Sequence, residues 1–207
     1  MLTGQYAHSN GMVGLAHRGF SLKDYRQHIV HTLRDLGYWS ALIGEQDIFK
    51  KPDVIGYDEV VKISTSHTDD VVPVTLDLLE RASDRPFFLS VGFFETHREW
   101  FRPSSPKKAN YVIPPPNLPD APETRLDMAA FQESARSLDR GIGAVLDALD
   151  AEGLAEDTLV ICTTDHGLAF PGAKATLYDR GLGVMLIPCA GQGGSPGARR
   201  ATPSSPT

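Results

Sequence analysis

Residues 158–181 read Thr-Leu-Val-Ile-Cys-Thr-Thr-Asp-His-Gly-Leu-Ala-Phe-Pro-Gly-Ala-Lys-Ala-Thr-Leu-Tyr-Asp-Arg-Gly. The apolar run over 159–163 reads as a strand, and it runs straight into Thr164-Asp165-His166-Gly167, with Lys174 close behind. A short strand that is apolar throughout belongs inside a sheet with both faces covered. In such sheets, ligand sites gather at the carboxyl ends of the strands. The stretch therefore delivers a carboxylate, an imidazole and an ammonium group to one end of a buried strand.

Working outward, the same alternation recurs. Residues 22–36 read as a helix with Tyr25, Ile29, Leu33 and Leu36 on one face, Ser21 as its cap and Gly37 as its stop. Residues 38–43 form a short buried strand. A second helix covers 71–82, Asp84-Arg85-Pro86 breaks it, and 87–94 is a near-continuous apolar strand. The Pro-rich stretch 103–123 marks a surface excursion. A long helix follows over 125–150, with Met128, Phe131, Leu138, Ile142, Val145 and Leu149 facing inward and Gly153 closing it. The last strand covers 184–187. Strands separated by helices predict an α/β fold, with a mostly parallel sheet covered by helices on both faces. Polar residues follow its strands at Gly44-Glu45-Gln46-Asp47, Glu95-Thr96-His97-Arg98 and Asp165-His166-Gly167.

Bulk composition sets the class. The chain has 207 residues, 41% of them hydrophobic and 22% charged, with a net charge of −6. That is a globular composition, long enough to bury a core. No basic stripe or run points to nucleic acid. No apolar run approaches the length of a membrane span, and residues 1–6 lack the basic and apolar regions of a signal peptide. Cys162 and Cys189 make neither a disulfide framework nor a zinc site; Cys162 reads as a buried thiol. From residue 189 onward Gly, Ser, Pro, Ala, Thr and Arg dominate. No Leu, Ile, Val, Met or aromatic residue remains, so 189–207 is expected to be a disordered tail behind an ordered domain over 1–188.

The candidate groups have definite chemistry. Asp165 is a hard oxygen ligand suited to calcium or magnesium. His166 can ligate a metal or donate to an oxyanion. Asp-His-Gly alone suits a helix cap or a turn after a strand better than a ligand. Lys174 offers a point charge for an oxyanion; alone it reads as a solvated lysine. His97 can bind an oxyanion or protonate a leaving group, or simply be satisfied by a backbone carbonyl. His8 and His17 lie in a Gly-rich loop, and His28 and His31 read as solvent-facing on the first helix.

Taken in order, these motifs resemble the sulfatase family of the alkaline-phosphatase-like superfamily. Met1-Leu2-Thr3-Gly4-Gln5-Tyr6-Ala7-His8-Ser9-Asn10-Gly11 resembles the segment just downstream of the sulfatase nucleophile. Pro86-Phe87-Phe88-Leu89 through His97, Ser137-Leu138-Asp139, Thr164-Asp165-His166-Gly167 and Lys174 through Tyr178 and Gly181 follow in the family's order. The surroundings of Arg85 and of Phe170-Pro171 look like the N-sulfatase (sulfamidase) branch.

The resemblance implies calcium-assisted hydrolysis of sulfate esters or N-sulfates, on a sulfated small molecule or glycan, with a formylglycine nucleophile. It implies that Asp165 and His166 are half of a calcium site and that His97 and Lys174 contact the sulfate. The chain also departs from the pattern. It contains no Cys-x-Pro-x-Arg or Ser-x-Pro-x-Arg, so it supplies no nucleophile. The strand carrying the acidic half of the calcium site is missing from it, leaving the expected sheet incomplete at the N-terminus. Glu45 and Asp47 stand where the family carries lysine and histidine, while Gln46 keeps a hydrogen-bond donor. The shift to low complexity after Pro188 is what a frameshift or truncated reading frame would produce. The expected protein is a sulfatase-type fragment with little activity of its own. A phosphoesterase on the same scaffold and a non-catalytic remnant are the alternatives.

Overall fold

In a computed structural model, the described residues are 2–189, except 83, 102 and 104. The expected tail over 189–207 lies outside them from residue 190 onward, and Cys189 itself belongs to a strand.

The helices α1 (Ala7–Asn10) and α2 (Ile29–Asp35) precede strand β1 (Trp39–Gly44), and β2 (Glu59–Val60) follows it. Helix α3 (Thr68–Ala82) leads to β3 (Phe87–Gly92), and α4 (Pro122–Ala151) to β4 (Val160–Thr163), α5 (Asp179–Leu182) and β5 (Leu186–Cys189). β1 is the centre of a parallel sheet in the order β2-β1-β3. Side chains alternate across a strand, and β1 uses both faces. Leu42 packs with Val30, Ile55 and Tyr57 on the α2 side. Ala41 and Ile43 pack with Val71 and Leu78 of α3 on the other. The expected two-sided parallel sheet is this part of the molecule.

The α4 helix docks on α3 at Gly141, where an added Cβ would stand 2.3 Å from the Thr68 methyl. At the carboxyl end of the sheet, Gly44 takes φ 78°, and a Cβ there would lie 1.9 Å from the Gly92 carbonyl oxygen. Only glycine allows both that backbone region and that approach.

Four expectations change. First, β4 pairs with β5, antiparallel, in a separate two-stranded sheet. An apolar run signals a strand suited to burial and does not name its partner. Second, the helix expected over 22–36 divides into a 3₁₀ turn, Tyr25–Gln27, capped by the Asp24 side chain, and α2, capped by His28. Ser21 caps neither. Third, His28 is buried rather than solvent-facing, and His31 is partly buried with Nε2 3.0 Å from the Ile55 carbonyl. A helix shorter by two turns brings its polar end under the loop 55–57. Fourth, Cys162 is only half-buried, and burial followed by the neighbouring Cys189 pushes its thiol up.

Candidate active site

The parallel register sets Gly44 opposite Gly92, so the segments that follow β1 and β3 emerge at one edge of the sheet. The Glu45 N–H donates to the Gly92 carbonyl at 2.9 Å. Beyond that point the two segments differ. After β1, Gln46 turns inward. Its Oε1 accepts from the Ile48 N–H at 2.8 Å and its Nε2 donates to the Phe49 carbonyl at 2.8 Å. The donor that the sequence left available to a ligand is spent on the chain's own loop. Asp47 lies 3.2 Å from His17 Nδ1, and Glu45 is exposed.

After β3, Glu95 is buried at 6% exposure. It accepts from the Thr68 N–H at the start of α3 and lies 3.1 Å from His67 Nδ1. His97 is exposed, with Nδ1 bonded to the Arg98 carbonyl and its ring 4.8 Å from that of Phe94. Arg98 then reaches across the molecule. Its guanidinium pairs with Asp127 of α4, donates to the Ala169 carbonyl at 3.3 Å and stacks 4.3 Å from the Trp100 ring. Trp100 packs on Phe170 at 4.8 Å and on Phe131 of α4 at 5.7 Å. The loop carrying His97 is thereby fastened to the loop carrying Asp165, His166 and Lys174.

That second loop is built tightly. The Gly167 N–H donates to the Gly181 carbonyl at 3.0 Å. A Cβ on Gly167 would meet the Arg180 carbonyl oxygen at 1.7 Å. The Lys174 N–H donates to the Leu168 carbonyl at 2.9 Å, closing the turn around buried Phe170. His166 donates from Nδ1 to the Gly167 carbonyl at 2.7 Å, and its Nε2 lies 3.4 Å from Asp165 Oδ2. In the neutral ring this puts two acceptors side by side with no proton between them, as two ligands of one cation stand. The Asp165 side chain is 79% exposed.

Among the described residues, no group of three or more His, Cys, Asp or Glu side chains converges on one point. Calcium takes about 6–8 oxygen ligands. Asp165 and His166 therefore fit a corner of such a shell and not the whole of it. His97 and Lys174 make no hydrogen bond or ion pair with that corner among the described residues. Their two loops meet through Arg98, Trp100 and Phe170.

Sequence reading named His97, Lys174, Asp165 and His166 and missed His67. The signal for it was the run Thr65-Ser66-His67-Thr68-Asp69-Asp70, whose polar residues before an apolar repeat mark a helix start. The helix starts at Thr68, three residues before the Val71 where the apolar repeat begins.

Comparison with known proteins fits this architecture. Human N-sulphoglucosamine sulphohydrolase is 28% identical over 90% of this chain and 44% of its own length. Ps i-CgsB, solved in complex with k-i-k-neocarrahexaose, superposes with a TM-score of 0.66 at 17% identity, covering 91% of this chain and 53% of that one. BT4656, solved with its substrate D-glucosamine-2-N,6-O-disulfate, gives a TM-score of 0.64 at 15% identity, covering 92% of this chain and 60% of that one. The two structures carry the likeness of fold, and this chain spans about half the length of its relatives. The family model described as Sulfatase matches residues 1–187. The chain belongs to the sulfatase family.

Proposed function

We propose that this chain carries the sulfate-binding half of a sulfuric ester or sulfamate hydrolase site, with an N-sulfated amino sugar as its ligand. The observation that carries the reading is the Arg98 clamp, which ties the His97 loop to the Asp165–Lys174 loop. The name of the human relative supports the N-sulfated sugar.

In this reading Lys174 brings a positive charge to the sulfate oxygens, and charge placed where charge develops lowers the barrier. His97 has Nδ1 committed to the backbone, so Nε2 is the atom that meets the sulfate or the leaving group. Asp165 and His166 would hold a calcium ion as part of its shell, and the bound ion supplies a Lewis acid and a template for the sulfate.

A second reading, a family member that binds without turnover, draws on the other side of the sheet edge. Glu45 and Asp47 put carboxylates beside a site for an anion, and like charges repel. The 207 residues contain no Cys-x-Pro-x-Arg or Ser-x-Pro-x-Arg from which to make formylglycine. The expected behaviour is therefore weak, calcium-dependent binding of N-sulfoglucosamine with little or no hydrolysis. Isothermal titration with calcium and N-sulfoglucosamine tests the binding, and Asp165→Ala should abolish its calcium dependence. Absence of any calcium-dependent binding would sink the site. Aryl sulfate turnover that Asp165→Ala removes would instead overturn the expected inactivity.

A further inference from the structure

The carboxyl edge of the parallel sheet holds a second imidazole that the reading above leaves unused. His67 stands at the entrance to α3, where its carbonyl accepts from the Val71 N–H at 3.0 Å. Its Nδ1 lies 3.1 Å from Oε1 of Glu95, whose side chain is 2% exposed against 40% for His67. Glu95 is itself fixed, because both its oxygens face the Thr68 N–H, at 3.3 and 3.1 Å. A carboxylate suits that place, since a helix N-terminus offers unbonded N–H groups and the positive end of the dipole.

The consequence for His67 is a matter of valence. An ionised carboxylate oxygen only accepts, so Nδ1 carries the hydrogen. In the neutral ring Nε2, on the opposite edge, then has a lone pair and no proton. The ring plane is set as well: Phe94 meets it edge-on at 4.9 Å and Phe101 lies 5.9 Å away. His97 packs at a tilt on the same Phe94, with ring centroids 4.8 Å apart. The charged or titratable groups around His67 are Glu95 from the segment after β3, His97 across Phe94, and Asp69 and Asp70 in the first turn of α3. Asp70 is engaged by the Thr65 N–H and hydroxyl.

We infer that His67 is a further substrate-contacting residue, with Glu95 as its positioning residue. Glu95 fixes the tautomer, and His67 Nε2 accepts a hydrogen bond from the N–H or O–H group next to the sulfate of an N-sulfated amino sugar. This rests on the sulfate-binding reading and adds its selectivity. Lys174 answers the charge of the sulfate, which every sulfated ligand carries. A lone pair answers only a donor, and bare sulfate ion has none at neutral pH. A site built to bond an N–H discriminates strongly against ligands that lack it.

The competing account is a helix cap: Glu95 closes α3, and His67 is merely its neighbour. Long-range proton–nitrogen NMR on the whole chain, nitrogen-labelled at histidine and lysine, separates the two, with N-sulfoglucosamine and inorganic sulfate as probes. The Nδ1–H tautomer is expected for His67 in the free protein, with an Nε2 shift on adding N-sulfoglucosamine and none on adding sulfate. His67→Asn should weaken N-sulfoglucosamine about tenfold and leave sulfate binding unchanged, because the loss of one read hydrogen bond is confined to the ligand that has it. Asparagine is a good helix cap and Glu95 stays in place, so the unfolding midpoint of His67→Asn should equal that of the parent. An Nε2–H tautomer overturns the inference. So does a His67 that ignores N-sulfoglucosamine while His97 and Lys174 respond, and in that case the sulfate-binding reading survives. If neither His97 nor Lys174 responds to either probe, that reading falls and the role of His67 falls with it.

Discussion

Strands β1 and β4 use nearly the same alphabet, Trp-Ser-Ala-Leu-Ile-Gly against Val-Ile-Cys-Thr, and the structure treats them in opposite ways. Ser40 through Ile43 are buried in β1, flanked by a strand on either side and covered by α2 and α3. In the β4–β5 pair, Ile161 is 48% exposed against 0% for Ile43, and all of β5 is exposed. An apolar strand is stabilised by what covers it, and hydrophobicity alone does not provide the cover. The two regions should therefore answer the same substitution differently. Ile43→Ala should cost roughly 2–5 kcal/mol, the range for emptying a core site. Ile161→Ala should cost less than about 1 kcal/mol. Urea unfolding of the two variants at low concentration decides it, and equal losses would mean that β4 is as well covered as β1.

The same contrast separates the histidines. His28 lies under the parallel sheet at 1% exposure, its ring 5.5 Å from that of Tyr57. Nδ1 accepts from the Val30 N–H at 3.4 Å, and Nε2 has no partner among the described residues. A proton on Nδ1 would break the bond to Val30 and bury a charge. Burial, then the charge of nearby His31, lowers this group from 6.5 to about 4. Its contribution to stability is present above about pH 6.5 and lost as pH falls through about 4, because the unfolded chain takes up the proton first. The full shift corresponds to about 3 kcal/mol as an upper bound. Thermal unfolding from neutral to mildly acidic pH should show the loss, and His28→Asn should flatten that part of the curve. A variant that keeps the parent's acid sensitivity would assign it to other groups.

Legibility in the sequence followed the same divide. Where apolar residues are covered by their neighbours in the chain, as at 38–43, 71–82 and 87–94, period and breaker residues gave each element within a few positions. His97, Asp165 and His166 were legible as groups that follow a strand, with Lys174 further along the same loop, but the rule that ligands gather at the carboxyl ends of parallel strands reaches His97 only, since β4 stands outside the parallel sheet. Pairing was not legible: nothing in Leu159-Val160-Ile161 says that β5 will lie beside it, antiparallel. Nor was the partnership of His67 with Glu95, 28 residues apart in the chain. Contacts of that span are set by the packing of α3 against β3, and no local pattern records them.

Arg98 joins the two regions, and removing it should loosen one of them only. Arg98→Ala deletes the Asp127 pair, the bond to the Ala169 carbonyl and the stack on Trp100. An exposed pair with one stacked ring is worth about 1 kcal/mol, a small fraction of the stability of a domain. The loss should fall on the loop 164–176. Amide exchange at Gly167 and Lys174 should speed up while the β1–β3 ladder keeps its protection, as expected where local opening is independent of global unfolding. Uniform acceleration across both sheets would show that the clamp holds the whole fold and not the junction of two loops.

The smallest effect on stability belongs to the exposed sheet, and it should come with a large effect elsewhere. Ile161, Leu186 and Ile187 are 48%, 60% and 48% exposed, and the strands that carry them have no charged side chain. An uncharged apolar pair of strands whose outer edges meet no further strand among the described residues is a template for further pairing. Replacing Ile161 and Leu186 together by threonine puts a β-branched residue that suits a strand at both positions and removes apolar surface that water already touches. Urea unfolding should move by no more than about 0.5 kcal/mol, while sedimentation velocity should show the double variant less associated than the parent at the same concentration. A parent already monomeric at high concentration would show that the exposed face does not associate. A double variant that unfolds far more easily would show that β4 and β5 contribute as much burial as β1, which would erase the contrast between the two sheets.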